Sequence, residues 1–153
     1  MVLSPDNSVL VSGSNDCQVL VWDVSSASIT RKLAFHTRSV LGVAIGSDGK
    51  TVASCSEDGA IAVWNASGSA PAHVFSNNNC AMRGVQFSPD GKSLLSCSDD
   101  RSLKLINAET GSLCQTLEGH INAAMAACYS ADGKLIASAS LDSSVKIWIA
   151  EAN

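Results

Sequence analysis

Charge is scarce in this sequence of 153 residues. Asp, Glu, Lys and Arg make up 16% of it, with 10 Lys and Arg against 14 Asp and Glu. No Lys/Arg cluster is present, so the basic stripe that neutralises a phosphate backbone is missing and nucleic acid is not an expected partner. Low charge beside 46% hydrophobic residues also separates the chain from disordered sequences and leaves enough apolar material for a core. Long apolar runs are missing too. None approaches the ~20 residues of a membrane helix, so no membrane insertion is expected. Met1-Val2-Leu3-Ser4-Pro5-Asp6 has neither the basic nor the apolar segment of a signal peptide. The expected location is cytoplasmic, with nuclear or cytoskeletal placement left open.

Chemical motifs are equally sparse. Cys17, Cys55, Cys80, Cys97, Cys114 and Cys128 form no CxxC pair and no zinc-type spacing with a His. They read as reduced thiols acting as small apolar side chains in a reducing compartment. There is no GxSxG elbow, no HExxH and no EF-hand loop. Gly49-Lys50-Thr51 resembles the tail of a phosphate-binding loop, but the motif's first Gly falls on Ala44. The same turn recurs at Gly91-Lys92-Ser93 and Gly133-Lys134-Leu135, which marks a hairpin. Asn65-Ala66-Ser67 fits a glycosylation acceptor but reads as a turn without a secretory signal. No catalytic residue, metal or cofactor is expected.

What the sequence does contain is a repeat. Asp16, Asp58, Asp100 and Asp142 stand 42 residues apart, and so do Asp6, Asp48, Asp90 and Asp132. Trp22, Trp64 and Trp148 share the period, with Ile106 in the remaining slot. A fixed period of this size signals stacked supersecondary units. Within each unit the signals are those of short strands. Val19-Leu20-Val21-Trp22, Ile61-Ala62-Val63-Trp64 and Val145-Lys146-Ile147-Trp148 are β-branched and aromatic, bounded by Gly, Asp, Asn and Ser. Ser88-Pro89-Asp90-Gly91-Lys92 sets Pro and Gly where a tight turn requires them. About four strands per unit describe an all-β chain of four-stranded antiparallel propeller blades.

Gly119-His120, Ser130-Ala131-Asp132-Gly133-Lys134, Ser138-Ala139-Ser140, Asp142 and Lys146-Ile147-Trp148 together resemble a WD-repeat, and the resemblance covers essentially the whole chain. It implies a β-propeller, usually of seven or eight blades, that serves as a non-enzymatic scaffold. It also implies hydrogen-bonded tetrads, one of His36, Ser54, Asp58 and Trp64 and another of His120, Ser138, Asp142 and Trp148. In such a tetrad the carboxylate accepts from one imidazole nitrogen, the other nitrogen faces the Ser hydroxyl, and that hydroxyl accepts from the indole N–H, so each buried polar atom has a partner. In the third unit Asn78 replaces the His and Ile106 the Trp, leaving Ser96 and Asp100. The first unit keeps Ser12, Asp16 and Trp22 without a His.

The expected organisation is one WD-repeat domain, 1–153, with a partial blade 1–35, blades 36–77 and 78–119, and a partial blade 120–153. Both flanking blades are expected to lack a strand. Such an arc exposes strand edges and apolar faces. The chain is therefore expected to be a fragment of a larger propeller completed by missing blades, with a homo-oligomer as the second possibility.

For partners, the resemblance implies proteins or peptides gripped on the top face at two positions per blade. One is the residue before the tetrad Asp: Asn15, Glu57, Asp99 and Leu141. The other lies five residues after the tetrad His: Leu41, Arg83 and Met125. Two readings stand side by side. In one, Arg83 is the electrostatic anchor of a groove with Met125 and Leu141 as its apolar pocket. In the other, Arg83 pairs with Glu57 or Asp99 as a surface salt bridge. An interaction scaffold is the leading function, and a structural subunit of a large multiprotein assembly is the alternative. The family's cullin-ligase receptors often carry an Arg shortly after Trp-Asp. None follows Trp22-Asp23, which weakens that role.

Overall fold

The computed structural model describes residues 1–65, 68–77 and 80–150. The reading of Asn78, and that of Asn65-Ala66-Ser67 beyond its first residue, fall outside the described residues.

Two series of Asp residues shape the turns. At one end of the sheets, the side chains of Asp6, Asp48, Asp90 and Asp132 each accept the backbone N–H two residues on, at 2.8–3.1 Å. At the other end, Asp16, Asp58, Asp100 and Asp142 do the same at 2.9–3.0 Å. Such a side chain stands in for a backbone acceptor and closes the hairpin. After the second Asp the chain adopts positive φ, at Cys17 (71°), Gly59 (82°), Arg101 (77°) and Ser143 (67°). Only one of the four is the Gly that this conformation favours.

These turns join fifteen strands, with no helix among the described residues. The first sheet holds β1 (Val2–Leu3), β2 (Val9–Gly13), β3 (Gln18–Asp23) and β4 (Ser28–Ala34). The second holds β5 (Val40–Ile45), β6 (Val52–Ser56), β7 (Ala60–Trp64) and β8 (His73–Ser76). The third holds β9 (Met82–Phe87), β10 (Ser93–Ser98), β11 (Leu103–Asn107) and β12 (Leu113–Leu117). The last has three strands, β13 (Ala124–Tyr129), β14 (Leu135–Ser140) and β15 (Val145–Ile149). Each sheet is an antiparallel meander in chain order, and together they form a partial propeller. The first sheet is not three-stranded as the sequence suggested: Val2 and Leu3 pair with Val11 and Leu10 and supply a short fourth strand.

The core lies between blades. Val11, Val19, Val21 and Leu33 of the first pack on Val40, Val52, Ala62 and Trp64 of the second. Ile61 and Val63 of the second meet Met82, Phe87, Leu94 and Ile106 of the third. Leu95, Leu103, Leu105 and Leu117 of the third meet Ala124 and Ile136 of the fourth. Because successive side chains point to opposite sheet faces, each blade has one face turned to the preceding blade and one to the next. The middle strands of the second and third blades are consequently buried almost throughout, whereas β15 alternates between half-buried and exposed. Near the inner strands the approach is close. A Cβ added at Gly42 would lie 2.9 Å from Cys55 Sγ and 3.2 Å from Gly84 Cα.

Candidate functional site

The polar tetrads fix the end of each blade that carries the candidate residues. In the second blade His36 Nδ1–H donates to Asp58 Oδ2 at 3.1 Å, Ser54 O–H donates to His36 Nε2 at 2.8 Å, and Trp64 Nε1–H donates to Ser54 Oγ at 3.1 Å. In the fourth blade the same contacts link His120, Asp142, Ser138 and Trp148 at 2.8–2.9 Å. The backbone N–H groups of Thr37 and Ile121 also donate to these carboxylates, at 2.9 and 3.0 Å. Burial pushes the His36 imidazole below its ordinary value of 6.5 despite the neighbouring Asp58. Burial opposes ionisation of Asp58, but the N–H groups of Thr37 and Ala60 and the His36 ring hold it below the usual carboxylate range. The Ser144 hydroxyl, Ile121 N–H and His120 hold Asp142 well below that range. In the first blade Trp22 Nε1–H still donates to Ser12 Oγ at 2.9 Å.

The third blade solves the same problem with other residues. The side-chain amide of Asn77 donates to Asp100 Oδ2 at 2.8 Å and to Ser98 Oγ at 3.0 Å. The buried Lys104 ammonium donates to Asp100 Oδ2 at 2.8 Å and to Ser102 Oγ at 2.5 Å. Ser96, with no indole or imidazole in reach, turns its hydroxyl to Gly84 O at 2.7 Å. Asp100 keeps a full set of partners and is held far below the usual carboxylate range, against its burial, by Lys104, Ser102 and Asn77. A cation and an amide here stand where the second and fourth blades have an imidazole. The sequence reading, in which only Ser96 and Asp100 survive, missed both Asn77 and Lys104.

The candidate partner residues share one rim. The backbone N–H groups of Glu57, Asp99 and Leu141 donate to Ser39, Ala81 and Ala123 O, each at 3.0 Å. This ties each loop to the start of the inner strand of its own blade. In all three blades the inner strand breaks register at one residue, and that residue is Leu41, Arg83 or Met125. A bulge leaves its residue unpaired and re-aims its side chain. The same device therefore presents all three of these residues. Leu41, Glu57, Arg83 and Asp99 are half-buried, while Asn15, Met125 and Leu141 are exposed.

The rim changes character from blade to blade. Arg83 forms a two-pronged pair with Asp99, Nε to Oδ1 at 2.7 Å and Nη2 to Oδ2 at 2.6 Å. These bonds raise the guanidinium above its ordinary value, and Glu57 adds to the effect. Arg38, which the sequence reading did not single out, lies 3.5 Å from Glu57. Arg38, Glu57, Cys80, Ala81, Arg83 and Asp99 line one open cleft between the second and third blades. On the fourth blade the rim is apolar. Ile121 is 80% exposed, Leu141 59% and Met125 38%. Ile121 was also missed. Its only sequence signal is its place directly after His120, where the second blade has Thr37.

Among the described residues no group of three or more His, Cys, Asp and Glu is placed to hold a metal ion. All six cysteines are free thiols, with Cys55 and Cys97 buried. Burial pushes the Cys97 thiol up to about 11 and raises Cys55 further.

Four stretches of the chain, residues 1–23, 27–65, 69–107 and 111–148, match the family described as WD domain, G-beta repeat. No curated protein matches the chain.

Proposed function

The chain belongs to the WD-repeat family, whose repeats are generally non-catalytic protein-interaction scaffolds, and we propose that it binds a protein or peptide partner across the rim of its third and fourth blades. The observation that carries this reading is the step in rim chemistry. Ile121, Met125 and Leu141 are exposed apolar side chains on the rim of the fourth blade, where the third blade carries the Arg83–Asp99 pair at the positions equivalent to Met125 and Leu141. Exposed apolar patches rimmed by polar residues mark interaction sites, and Met and Arg are enriched at interfaces. Because Asp99 occupies the Arg83 fork, Arg83 orders the edge of the site, and Ile121, Met125 and Leu141 supply the anchor. A partner then inserts an apolar side chain between the fourth-blade loops and lays polar groups toward Arg38 and Glu57. These blades work within a larger propeller, in the cytoplasm, as a platform without turnover.

The test is selection of peptides from a random displayed library on the immobilised chain, followed by titration against variants. Leu141→Ala with Met125→Ala is expected to weaken binding of the selected peptides by at least about tenfold, matching the ~1.4 kcal/mol or more of a hot spot. Arg83→Ala is expected to weaken it less. Unchanged affinity in both variants contradicts the site.

A second reading, a structural subunit of a large assembly, is favoured by the exposed apolar side chains of Val145, Ile147 and Ile149 on β15. A permanent assembly member is poorly soluble alone, so the solubility of the isolated chain separates the two.

A further inference from the structure

Directly after each Asp of the tetrad series stands a residue at positive φ: Cys17, Gly59, Arg101 and Ser143. Three of these are small. Arg101 bears the same left-handed penalty as Cys17 and Ser143, at φ 77°, yet it alone projects a long cation from the rim. A side chain kept in a disfavoured conformation points to a use for it. Arg101 is exposed and forms no ion pair among the described residues. With Lys104, Glu118, Gly119 and His120 it lines a hollow of about 360 Å³. The walls of this hollow come from the third blade and from the loop that leads to the fourth, so neither end of the chain takes part. The next residue of that loop is Ile121, the most exposed of the three apolar rim residues. The hollow therefore adjoins the apolar anchor. Its hydrogen-bonding capacity is unevenly spent. Asp100, on the same wall, already accepts from Asn77, Ser102 and Lys104. The Arg101 guanidinium is a forked donor that matches a carboxylate. Glu118 is the one carboxylate of the hollow without an ion-pair partner among the described residues.

From this arrangement we infer that Arg101 is the specificity-determining cation of the rim and takes an Asp or Glu side chain of the partner. The inference rests on the rim reading above and names the partner's chemistry: a peptide segment in which an acidic residue flanks the apolar one that inserts at Ile121, Met125 and Leu141. The other rim cations are already engaged. Asp99 fills the fork of Arg83, and Glu57 lies 3.5 Å from Arg38. Glu118 is the internal competitor, because its charge opposes an incoming carboxylate. An exposed charge of this kind governs partner choice and salt dependence more than raw affinity.

Peptides selected from a random displayed library on the full chain test the inference. An acidic residue is expected within a few positions of the selected apolar one. The selected peptide and its amide counterpart, with Asn or Gln for the acidic residue, are then titrated against the wild-type chain and three variants. Arg101→Gly is expected to weaken the acidic peptide about fivefold at low salt and less at high salt. The same variant is expected to leave the amide peptide unchanged and to hold or raise the urea midpoint, because Gly suits φ 77°. Glu118→Gln is expected to strengthen the acidic peptide about twofold. Arg101→Glu is expected to prefer a peptide with Lys in place of the acidic residue. An arginine with a merely structural role moves none of these differences between peptides. No acidic residue among the selected sequences, unchanged binding of the acidic peptide to Arg101→Gly, or equal loss for the acidic and amide peptides overturns the inference. The rim reading fails separately, when Leu141→Ala with Met125→Ala leaves the same peptides bound as before. Loss of binding in that variant, with Arg101→Gly unaffected, refutes the role of Arg101 alone.

Discussion

Replacing Ser54 with Ala removes one hydroxyl and orphans two buried groups. Trp64 Nε1–H loses its acceptor at 3.1 Å, and His36 Nε2 loses its donor at 2.8 Å. Ser54 and Trp64 are 0% exposed and His36 7%, so water does not readily replace the hydroxyl. A buried polar group left without a partner costs roughly 1–3 kcal/mol, which gives about 2–6 kcal/mol for the pair. Ser96 occupies the same slot one period later, but its hydroxyl donates only to Gly84 O. Its loss is worth about 1 kcal/mol, the net value of an ordinary hydrogen bond. Two identical substitutions at equivalent positions should therefore differ several-fold in effect. Urea unfolding followed by far-UV circular dichroism reads the difference. With a slope of ~2 kcal/mol/M, the middle of the usual range in urea, Ser54→Ala moves the midpoint by roughly 1–3 M and Ser96→Ala by about 0.5 M. Trp64→Phe provides a check, since Ser54→Ala is less damaging once the indole donor is gone. Equal midpoint shifts for Ser54→Ala and Ser96→Ala refute the reasoning, because they mean that the hydroxyl matters only as volume.

Stability is expected to decline as pH falls below 6.5. Burial depresses His36 in the fold, so the unfolded chain takes up that proton first; its contribution is complete above 6.5 and shrinks below it. Thermal melts at pH 7.5, 6.5 and 5.5 measure this, and a flat profile contradicts it. Gly59→Ala is expected to cost about 1 kcal/mol, because Ala pays the left-handed penalty at φ 82°. Arg101→Gly at φ 77° is expected to be neutral or stabilising, and loss of stability there tells against the turn assignment. A thiol reagent applied to the native chain should modify exposed Cys114 and Cys128 rapidly and leave Cys55 and Cys97 until unfolding. Early labelling of Cys55 contradicts the packing between blades.

The repeat was legible because it is written in residues whose chemistry recurs. Asp48 and its counterparts close turns, Asp58 and Asp142 accept from a His, and Trp64 and Trp148 donate to a Ser. Each role needs one residue type at one position, so the period of 42 survives in the sequence. The bulges at Leu41, Arg83 and Met125 left no such mark, since a bulge changes pairing and not composition. The partners of Asp100 were hidden for a different reason. Lys104 stands in a slot filled by Leu20, Ala62 and Lys146 in the other units, and nothing in that series points to an ion pair. Only the path of the side chain shows it reaching Asp100. The engagement of Arg83 by Asp99 was foreseen as one of two outcomes. That Arg83 takes Asp99 and not Glu57 depended on the aim of a bulged side chain.

Amide hydrogen exchange on the chain, with and without a library-selected peptide, tests most directly whether the rim is the partner surface. Protection by the peptide is expected in residues 121–125 and 139–144, with a weaker effect near Arg83 and Asp99. The turns at the opposite end, around Asp48, Asp90 and Asp132, are expected to exchange unchanged. Protection confined to those turns, with none in the fourth-blade loops, contradicts the assignment.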